Sequence, residues 1–352
     1  MAGLRSFGSR LYRGEVEVDF VGRRRLWYRL SALLLVLSLA GVVSQEINLG
    51  IEFRGGSVFT FRAPSASIEE VRAAVTDAGG RQVIVQSTTS GWRVATENLP
   101  AAEITRMQHS LAERFESEVS VRVIGGTWGG EVSRKALIGL GVFMLAIVLY
   151  LTVAFEWKMA LAAVVALVHD LVITAGVYAW SNFEVTPATV LGFLTILGYS
   201  LYDVVVVFDM IKEVTARLGP TSKITYSMAA NDALNHTLIR SLNTSLVAIL
   251  PVAAILLIGT TLLGAGTLKD LSLALLVGMI VGTYSSLCVA TPILATLKER
   301  EPGYREIARR AARRNARRAQ GGRRGGGGAG TPAGTVRGGS GPFGNGGGRG
   351  RR

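Results

Sequence analysis

Five stretches of this 352-residue chain are almost free of charge over lengths that cross a lipid bilayer. A transmembrane helix needs about 20 consecutive apolar residues. An earlier stretch, about Leu26–Gln45, carries only Arg29 near its start, where a long side chain can reach the headgroups. The sequence therefore predicts a multi-pass α-helical membrane protein with six transmembrane helices. The later five stretches are Ala136–Phe155, Met159–Asn182, Val185–Phe208, Ser241–Leu268 and Leu271–Leu297.

Basic residues are concentrated at the two ends of the chain. Residues 298–352 hold 14 Arg and one Lys against three Glu, and the first 29 residues hold seven Arg. Flanking segments rich in Lys and Arg stay on the cytoplasmic side of a membrane. We therefore predict that both termini are cytoplasmic and that residues 47–131 are exported. No clear cleavage site follows the first apolar stretch, which favours a retained anchor over a signal peptide.

The segment 47–131 has the pattern of a small α+β domain. Ser57–Phe61 alternates as a strand, and Ser67 with Glu70 forms a capping box that opens a helix. Two strands, a second helix and a last strand follow. The order β-α-β-β-α-β is that of a ferredoxin-like domain, here predicted between helices one and two. The later elements are expected at Gln82–Thr88, Trp92–Asn98, Pro100–Glu116 and Val119–Ile124.

Pairs of glycines bracket this domain, at Gly55-Gly56 on one side and at Gly125-Gly126 and Gly129-Gly130 on the other. They are interpreted as hinges between domain and membrane, with plain turns as the alternative. The predicted organisation is a basic N-terminus, a first helix, the exported domain, a five-helix region and a disordered Arg/Gly-rich tail, with a basic helix at Tyr304–Gln320. These segments are residues 1–25, 26–46, 47–131, 132–297 and 298–352.

Three ionisable residues lie within the apolar stretches and are the candidate functional residues. A charge at the centre of a membrane helix costs about 2.5–3.5 kcal/mol on insertion scales, so such groups usually face a partner or a water path. Asp170 lies near mid-membrane, whereas Asp203 and Arg240 lie in the inner half of their helices at overlapping depths. The last two form either a structural salt bridge or a proton-coupling pair. Asp170 is explained equally well as a functional acid or as a buried acid that is hydrogen-bonded to His169 or to a hydroxyl.

The sequence shows no catalytic set, nucleotide-binding motif or metal-binding pattern. The chain is therefore predicted not to be an enzyme and to need neither cofactor nor metal. Its one cysteine, Cys288, lies in an apolar stretch and is expected to be a buried small side chain.

Several long motifs resemble those of the SecF subunits of the bacterial protein translocase, in the SecD/SecF family and the resistance–nodulation–division superfamily. The motifs match in order over roughly residues 16–297. They are Leu194-Thr-Ile-Leu-Gly-Tyr-Ser-Leu-Tyr-Asp-Val-Val-Val-Val-Phe-Asp209, Asn235-His-Thr-Leu-Ile-Arg-Ser-Leu-Asn-Thr-Ser245, Val277-Gly-Met-Ile-Val-Gly-Thr-Tyr-Ser-Ser286, Val168-His-Asp170 and Gly50-Ile-Glu-Phe-Arg-Gly-Gly56.

This resemblance implies an accessory subunit of the bacterial cytoplasmic membrane. It would act with SecD beside the SecY/SecE/SecG channel and use proton flow to help move preproteins outward. In that pattern Asp203 matches an essential acid of the fourth helix, Arg240 its basic partner on the fifth, and Asp170 a recurrent acid of the third. The chain departs from many relatives next to Asp203: Tyr202 and Val204 stand where those relatives have Asn and Thr. Glu52 likewise replaces a usual Asp.

Two other functions remain open from the residues. One is half of a proton-coupled exporter of small molecules or lipids from the same superfamily. The other is a membrane anchor whose Arg-rich tail tethers a ribosome or nucleic acid, which leaves the intramembrane charges unexplained. For the tail itself, contact with anionic lipid or a merely solubilising role is favoured over RNA.

Overall fold

The computed structural model describes residues 17–325 except 46, 82, 89–90, 220–221, 223 and 262–265. Within that part of the chain, six helical segments are long and apolar enough to cross a membrane, as the sequence predicts. The first five are α1 (Arg24–Gln45), α5 (Gly126–Ala154), α6 (Trp157–Ser181), α7 (Pro187–Ala216) and α8 (Tyr226–Thr261).

The sixth segment, Lys269–Lys298, is not one regular α-helix. Helix α9 (Gly266–Ser285) passes into a π-helical turn at Ser286–Ala290 and then into α10 (Thr291–Lys298). In a π-helix the backbone hydrogen bonds reach one residue further than in an α-helix, and such turns frequently occur at functional sites. The sequence did not predict this turn.

Small residues let the helices approach closely. A Cβ atom at Gly176 of α6 would lie 2.3 Å from the Cβ of Ser38 on α1, and one at Gly278 of α9 would lie 2.2 Å from Cδ1 of Ile196 on α7. Without a hydrophobic drive between helices in lipid, such close packing holds a membrane bundle together. The contact between Gly278 and Ile196 brings together α7 and α9, two of the helices that contribute to the site described below.

Ion pairs join the helix ends on the side opposite the sheet domain. Arg24, at the start of α1, lies 2.9 Å from Glu299, just past α10. Lys158 of α6 lies 2.9 Å from Glu301, and Lys298 also donates to Glu301. Partial burial acts against ionisation of Glu301, but the hydrogen bonds from the two lysines hold its pKa below the ordinary value. The first and last transmembrane segments are thus linked at one end.

Four strands and two long helices form the sheet domain between α1 and α5. Antiparallel pairing gives the order β2-β3-β1-β4, which is the ferredoxin-like arrangement predicted from the sequence. Phe59, Val94, Met107 and Leu111 are fully buried between sheet and helices. The elements are a short α2 (Ile51–Arg54), β1 (Gly56–Phe61), α3 (Ile68–Asp77), β2 (Ile84–Thr88), β3 (Gly91–Thr96), α4 (Ala101–Phe115) and β4 (Ser120–Ile124).

Helix α3 begins as the capping box predicts. The Ser67 side chain accepts a hydrogen bond from the backbone N–H of Glu70 (3.2 Å), and the Glu70 carboxylate accepts one from the N–H of Ser67 (2.8 Å). These two bonds satisfy two of the free donors at a helix N-terminus.

The bracketing glycines pack against one another. Gly55 has φ +76°, and a Cβ there would lie 2.6 Å from the Cα of Gly126; one at Gly129 would lie 2.6 Å from the carbonyl oxygen of Phe53. Helix α5 accordingly starts at Gly126, earlier than the predicted boundary at 132. In this conformation the glycines permit close backbone contact between α2 and α5, and their role as hinges stays a prediction.

Helix α11 (Pro302–Gly325) includes the basic helix predicted at Tyr304–Gln320. The Gly/Arg-rich residues 321–352 are predicted to be disordered. Residues 321–325 are instead helical, and residues 326–352 lie outside the described part of the chain.

Candidate functional site

Asp170 is fully buried in the middle of α6 and is surrounded by donors. Its Oδ2 accepts hydrogen bonds from Ser200 Oγ of α7 and Ser285 Oγ of α9, each at 2.7 Å. Its Oδ1 lies 3.1 Å from Nδ1 of His169, whose Nε2 is buried without a hydrogen-bond partner among the described residues. Both neighbours expected from the sequence, the histidine and the hydroxyls, therefore contact this carboxylate.

Asp203 lies on α7 and is 5% exposed. Its Oδ2 accepts a hydrogen bond from the hydroxyl of Ser286. The hydroxyl of Ser241 on α8 is buried close to this carboxylate but outside hydrogen-bonding geometry. Among the residues that the structure describes, no basic side chain forms an ion pair with Asp203.

Two adjacent serines connect the two acids. Ser285 donates to Asp170 and Ser286 donates to Asp203, so neighbouring residues of one helix contact carboxylates on two other helices. The connection lies where the π-helical turn begins, and Thr291 Oγ1 donates to the carbonyl of Ser286 at 3.2 Å. The two carboxylates are thus joined through the hydroxyls of two consecutive residues.

Arg240 does not contact Asp203 in this structure. Its side chain is exposed at the outer surface of α8, whereas the next residue, Ser241, is 1% exposed. Successive residues of an α-helix point about 100° apart, so only one of these neighbours can face the carboxylate, and Ser241 does. The direct pairing expected for Arg240 is absent here, and its electrostatic role stays a prediction.

Neither a metal site nor a reactive cysteine is found in the described part of the chain. No group of three or more His, Cys, Asp or Glu is placed to hold a metal ion there. Cys288 is a free, buried thiol within the π-helical turn, as expected.

Comparison with known proteins identifies the family. A family model described as "Protein export membrane protein SecD/SecF, C-terminal" matches residues 104–300, and one described as "SecD/SecF GG Motif" matches residues 42–63. The chain belongs to the SecD/SecF family. Gly55, which packs against Gly126 at the start of α5, lies within the range matched by the second model.

Relatives of this family match most of the chain. The protein translocase subunit SecF of Streptomyces coelicolor is 44% identical over 88% of this chain and 84% of its own length. SecF of Mycobacterium tuberculosis strain CDC 1551 is 42% identical over 88% of this chain and 73% of its own.

The fold also matches a solved structure. The crystal structure of SecDF, a translocon-associated membrane protein from Thermus thermophilus, superposes with a TM-score of 0.75 at 30% identity. That match covers 82% of this chain and 39% of the SecDF chain. This SecF-family chain therefore spans about two fifths of the solved SecDF.

The serines around the two acids were not recognised as site residues from sequence. They are Ser200, Ser285 and Ser286. The available signal was their position inside the fourth- and sixth-helix motifs, each at a depth similar to that of an intramembrane acid.

Proposed function

We propose that this chain is an accessory, non-enzymatic subunit of the bacterial protein-export machinery. It acts with SecD at the cytoplasmic membrane, beside the SecY/SecE/SecG channel, and uses the proton gradient to help preproteins cross. Relatives named protein translocase subunit SecF support the export role. The concentration of arginine at both ends supports cytoplasmic termini.

The observation that carries this proposal is the environment of Asp203. Its carboxylate is buried in a membrane helix, accepts a hydrogen bond from Ser286, and forms no ion pair within the described residues. A buried carboxylate without a counter-ion is costly when ionised, and its proton occupancy is sensitive to small changes around it. Such a group can exchange a proton when a conformational change admits water or a cation.

Asp170 and the two serines provide a link from that proton to the rest of the bundle. Protonation of Asp203 weakens its charge-assisted bond with Ser286, and Ser286 adjoins Ser285, which holds Asp170. We infer that Asp170 stabilises one position of the π-helical turn and thus positions Ser286 at Asp203.

Arg240 points to SecD as the partner that completes the site. An arginine inside a membrane helix is costly when it faces lipid, and it faces outward in this chain. Next to Asp203, Tyr202 is also 53% exposed at the bundle surface. We propose that SecD covers this surface and supplies a polar or acidic group for Arg240. The SecDF relative, whose name joins SecD to SecF and of which this chain covers 39%, supports such a pairing.

The exporter and tether hypotheses have weaker support. Relatives that match 73–84% of their own length carry the SecF name, which argues against half of a small-molecule exporter. A tether through the tail leaves the buried acids without a role. For the basic tail we propose contact with anionic lipid, where each nearby basic residue contributes about 1 kcal/mol.

The proposal is tested by preprotein import into inverted membrane vesicles. Vesicles that contain the protein should import faster when a proton gradient is present, and vesicles from a deletion strain should lose that gradient-dependent component. Equal stimulation by the gradient in both preparations would contradict the proposal. Co-purification with SecD and SecY, with a second exporter half, or with ribosomes distinguishes the export role from the alternatives.

A further inference from the structure

The sheet domain is attached to the helix bundle at a loop between α6 and α7. The backbone N–H of Val185 in that loop donates to the carbonyl of Asn48 (2.8 Å), and the N–H of Gly50 donates to the carbonyl of Val185 (2.9 Å). These bonds make a parallel bridge between Leu49 and Val185. The linker that leads from α1 into the sheet domain is therefore fixed to the loop 182–186.

Glu184, in the same loop, is buried under the sheet domain. Its side chain is 4% exposed, and its Oε2 lies 2.9 Å from Nη1 of Arg93 on β3. Arg93 is itself 22% exposed. The ion pair crosses from bundle to sheet domain, so separating the two exposes Glu184 to water.

Other charged groups around Glu184 are mostly acidic. Glu52 of α2 and Asp270 of α9 interact electrostatically with Glu184, and Oε2 of Glu52 is buried with no hydrogen-bond partner in the described part of the chain. Lys269, also on α9, is a basic residue that interacts electrostatically with Asp270, and its Nζ lies 4.8 Å from the ring centre of Phe183. Arg54 and Glu97 line the cavity that adjoins Glu184.

We propose that docking of the sheet domain on the bundle is coupled to the binding of a proton by Glu184, taken from the solution on the sheet-domain side. In the docked state Glu184 is buried among carboxylates with Arg93 as its paired cation. In the separated state the same carboxyl is hydrated. The two states therefore bind the proton with different affinities, and this difference is what couples docking to pH. No role for Asp203 is needed.

The direction of the coupling follows from the balance of charges. Burial raises the pKa of Glu184 above its ordinary value, Arg93 opposes this, and the charge of Glu52 adds to it. A group whose pKa is raised in one state binds its proton more tightly in that state, so protonation favours it. Docking is therefore most favourable at low pH and becomes less favourable as the pH rises through the raised pKa.

The test measures the distance between sheet domain and bundle as the pH changes. Spin labels are attached to two introduced cysteines at exposed positions, Glu113→Cys on α4 and Leu191→Cys near the start of α7. The full chain also carries Cys288→Ala and is measured in lipid nanodiscs. We expect a single distance at low pH and a second, separated population that grows as the pH rises.

Three variants distinguish the proposal from a purely structural ion pair. Glu184→Gln should reduce the pH dependence, because Glu184 no longer titrates while Glu52 and Asp270 remain. Arg93→Gln should make the second population appear at a lower pH than in the wild type, because the acidic groups lose their cation. Arg114→Gln, which removes an exposed ion pair with Asp77 in the same domain, should behave as the wild type.

The outcomes are decisive in each direction. A single distance at every pH, or a wild-type pH dependence in Glu184→Gln, would overturn the proposal. If Glu184→Gln does not assemble, the shift in Arg93→Gln relative to Arg114→Gln still decides it, and no difference between those two variants would also overturn it.

Discussion

The contact between Gly278 and Ile196 should set the distance between the helices that carry Asp203 and Ser286. An added Cβ at Gly278 would lie 2.2, 2.3 and 2.6 Å from three atoms of the Ile196 side chain. Ile196 is fully buried, so a shift of its side chain must displace other atoms of a close-packed core. We therefore expect Gly278→Ala to force α7 and α9 apart and to destabilise the bundle.

The change in stability caused by Gly278→Ala has two opposing contributions. Overpacking a filled core costs about 1–3 kcal/mol, whereas replacing Gly by Ala within a helix gains up to about 1 kcal/mol of helix propensity. Gly198→Ala on α7 is the matched control, because nothing lies within 4 Å of an added Cβ there. We expect Gly278→Ala to be less stable than Gly198→Ala by about 1–3 kcal/mol.

The single cysteine provides the assay. Cys288 is 5% exposed, so a thiol-reactive fluorogenic dye should react only as the purified protein unfolds on heating. We expect the Tm of Gly278→Ala to fall relative to Gly198→Ala, by about 2–4 °C for each kcal/mol.

A compensating substitution tests the cause. Ile196→Ala removes the three clashing atoms, and alone it costs about 2–5 kcal/mol because it leaves a cavity. Combined with Gly278→Ala, whose added methyl fills part of that cavity, it should cost less than the sum of the two single changes. Additive losses, or a Gly278→Ala protein as stable as Gly198→Ala, would refute the packing argument.

Three further predictions concern export in vesicles. Ser286→Ala removes a hydroxyl that favours ionised Asp203 by about 1.5–3 kcal/mol, so gradient-driven import should fall. The control Ser181→Ala, which removes an exposed hydroxyl, should leave import intact, and equal import rates in the two variants would contradict the role of Ser286 at Asp203. Deleting residues 303–352 should leave import largely unchanged, because the family motifs end before the tail, and lost import at normal membrane levels would count against this. A crosslink that clamps the sheet domain to the bundle should slow import if that domain moves on its flanking glycines, and import at the normal rate would leave those glycines as packing contacts only.

Local sequence patterns were sufficient for the architecture. Apolar stretches of bilayer length predicted the six membrane helices found among the described residues, and the Ser67–Glu70 capping box with alternating strands predicted the ferredoxin-like domain. Helix α8 nevertheless begins at Tyr226, well before the predicted start at Ser241. Hydropathy detects only the apolar part of a helix, and this one continues through polar residues beyond it.

Contacts between distant segments could not be predicted in the same way. Glycine favours flexible backbone, so Gly125-Gly126 and Gly129-Gly130 were interpreted as hinges. In the structure the helix begins at Gly126 and Gly129 packs against the backbone of Phe53, a contact between distant segments that the local pattern does not contain. The link from Asp170 through Ser285 and Ser286 to Asp203 depends on how three helices pack. No periodicity within one helix contains that information.

The central claim is that Asp203 must gain and lose a proton, and gradient-stimulated import tests it most directly. Asp203→Asn preserves the shape of the side chain and removes the titration, so import should lose its response to the gradient, whereas Asp209→Asn, at an exposed position of the same helix, should keep it. Arg240→Met should also fail, and the double variant Asp203→Asn with Arg240→Met should assemble and stay inactive. A salt bridge between Asp203 and Arg240, which this conformation lacks, would instead predict recovery in the double variant, since neither charge is left without its partner. Recovery there, or a normal gradient response in Asp203→Asn alone, would contradict the account.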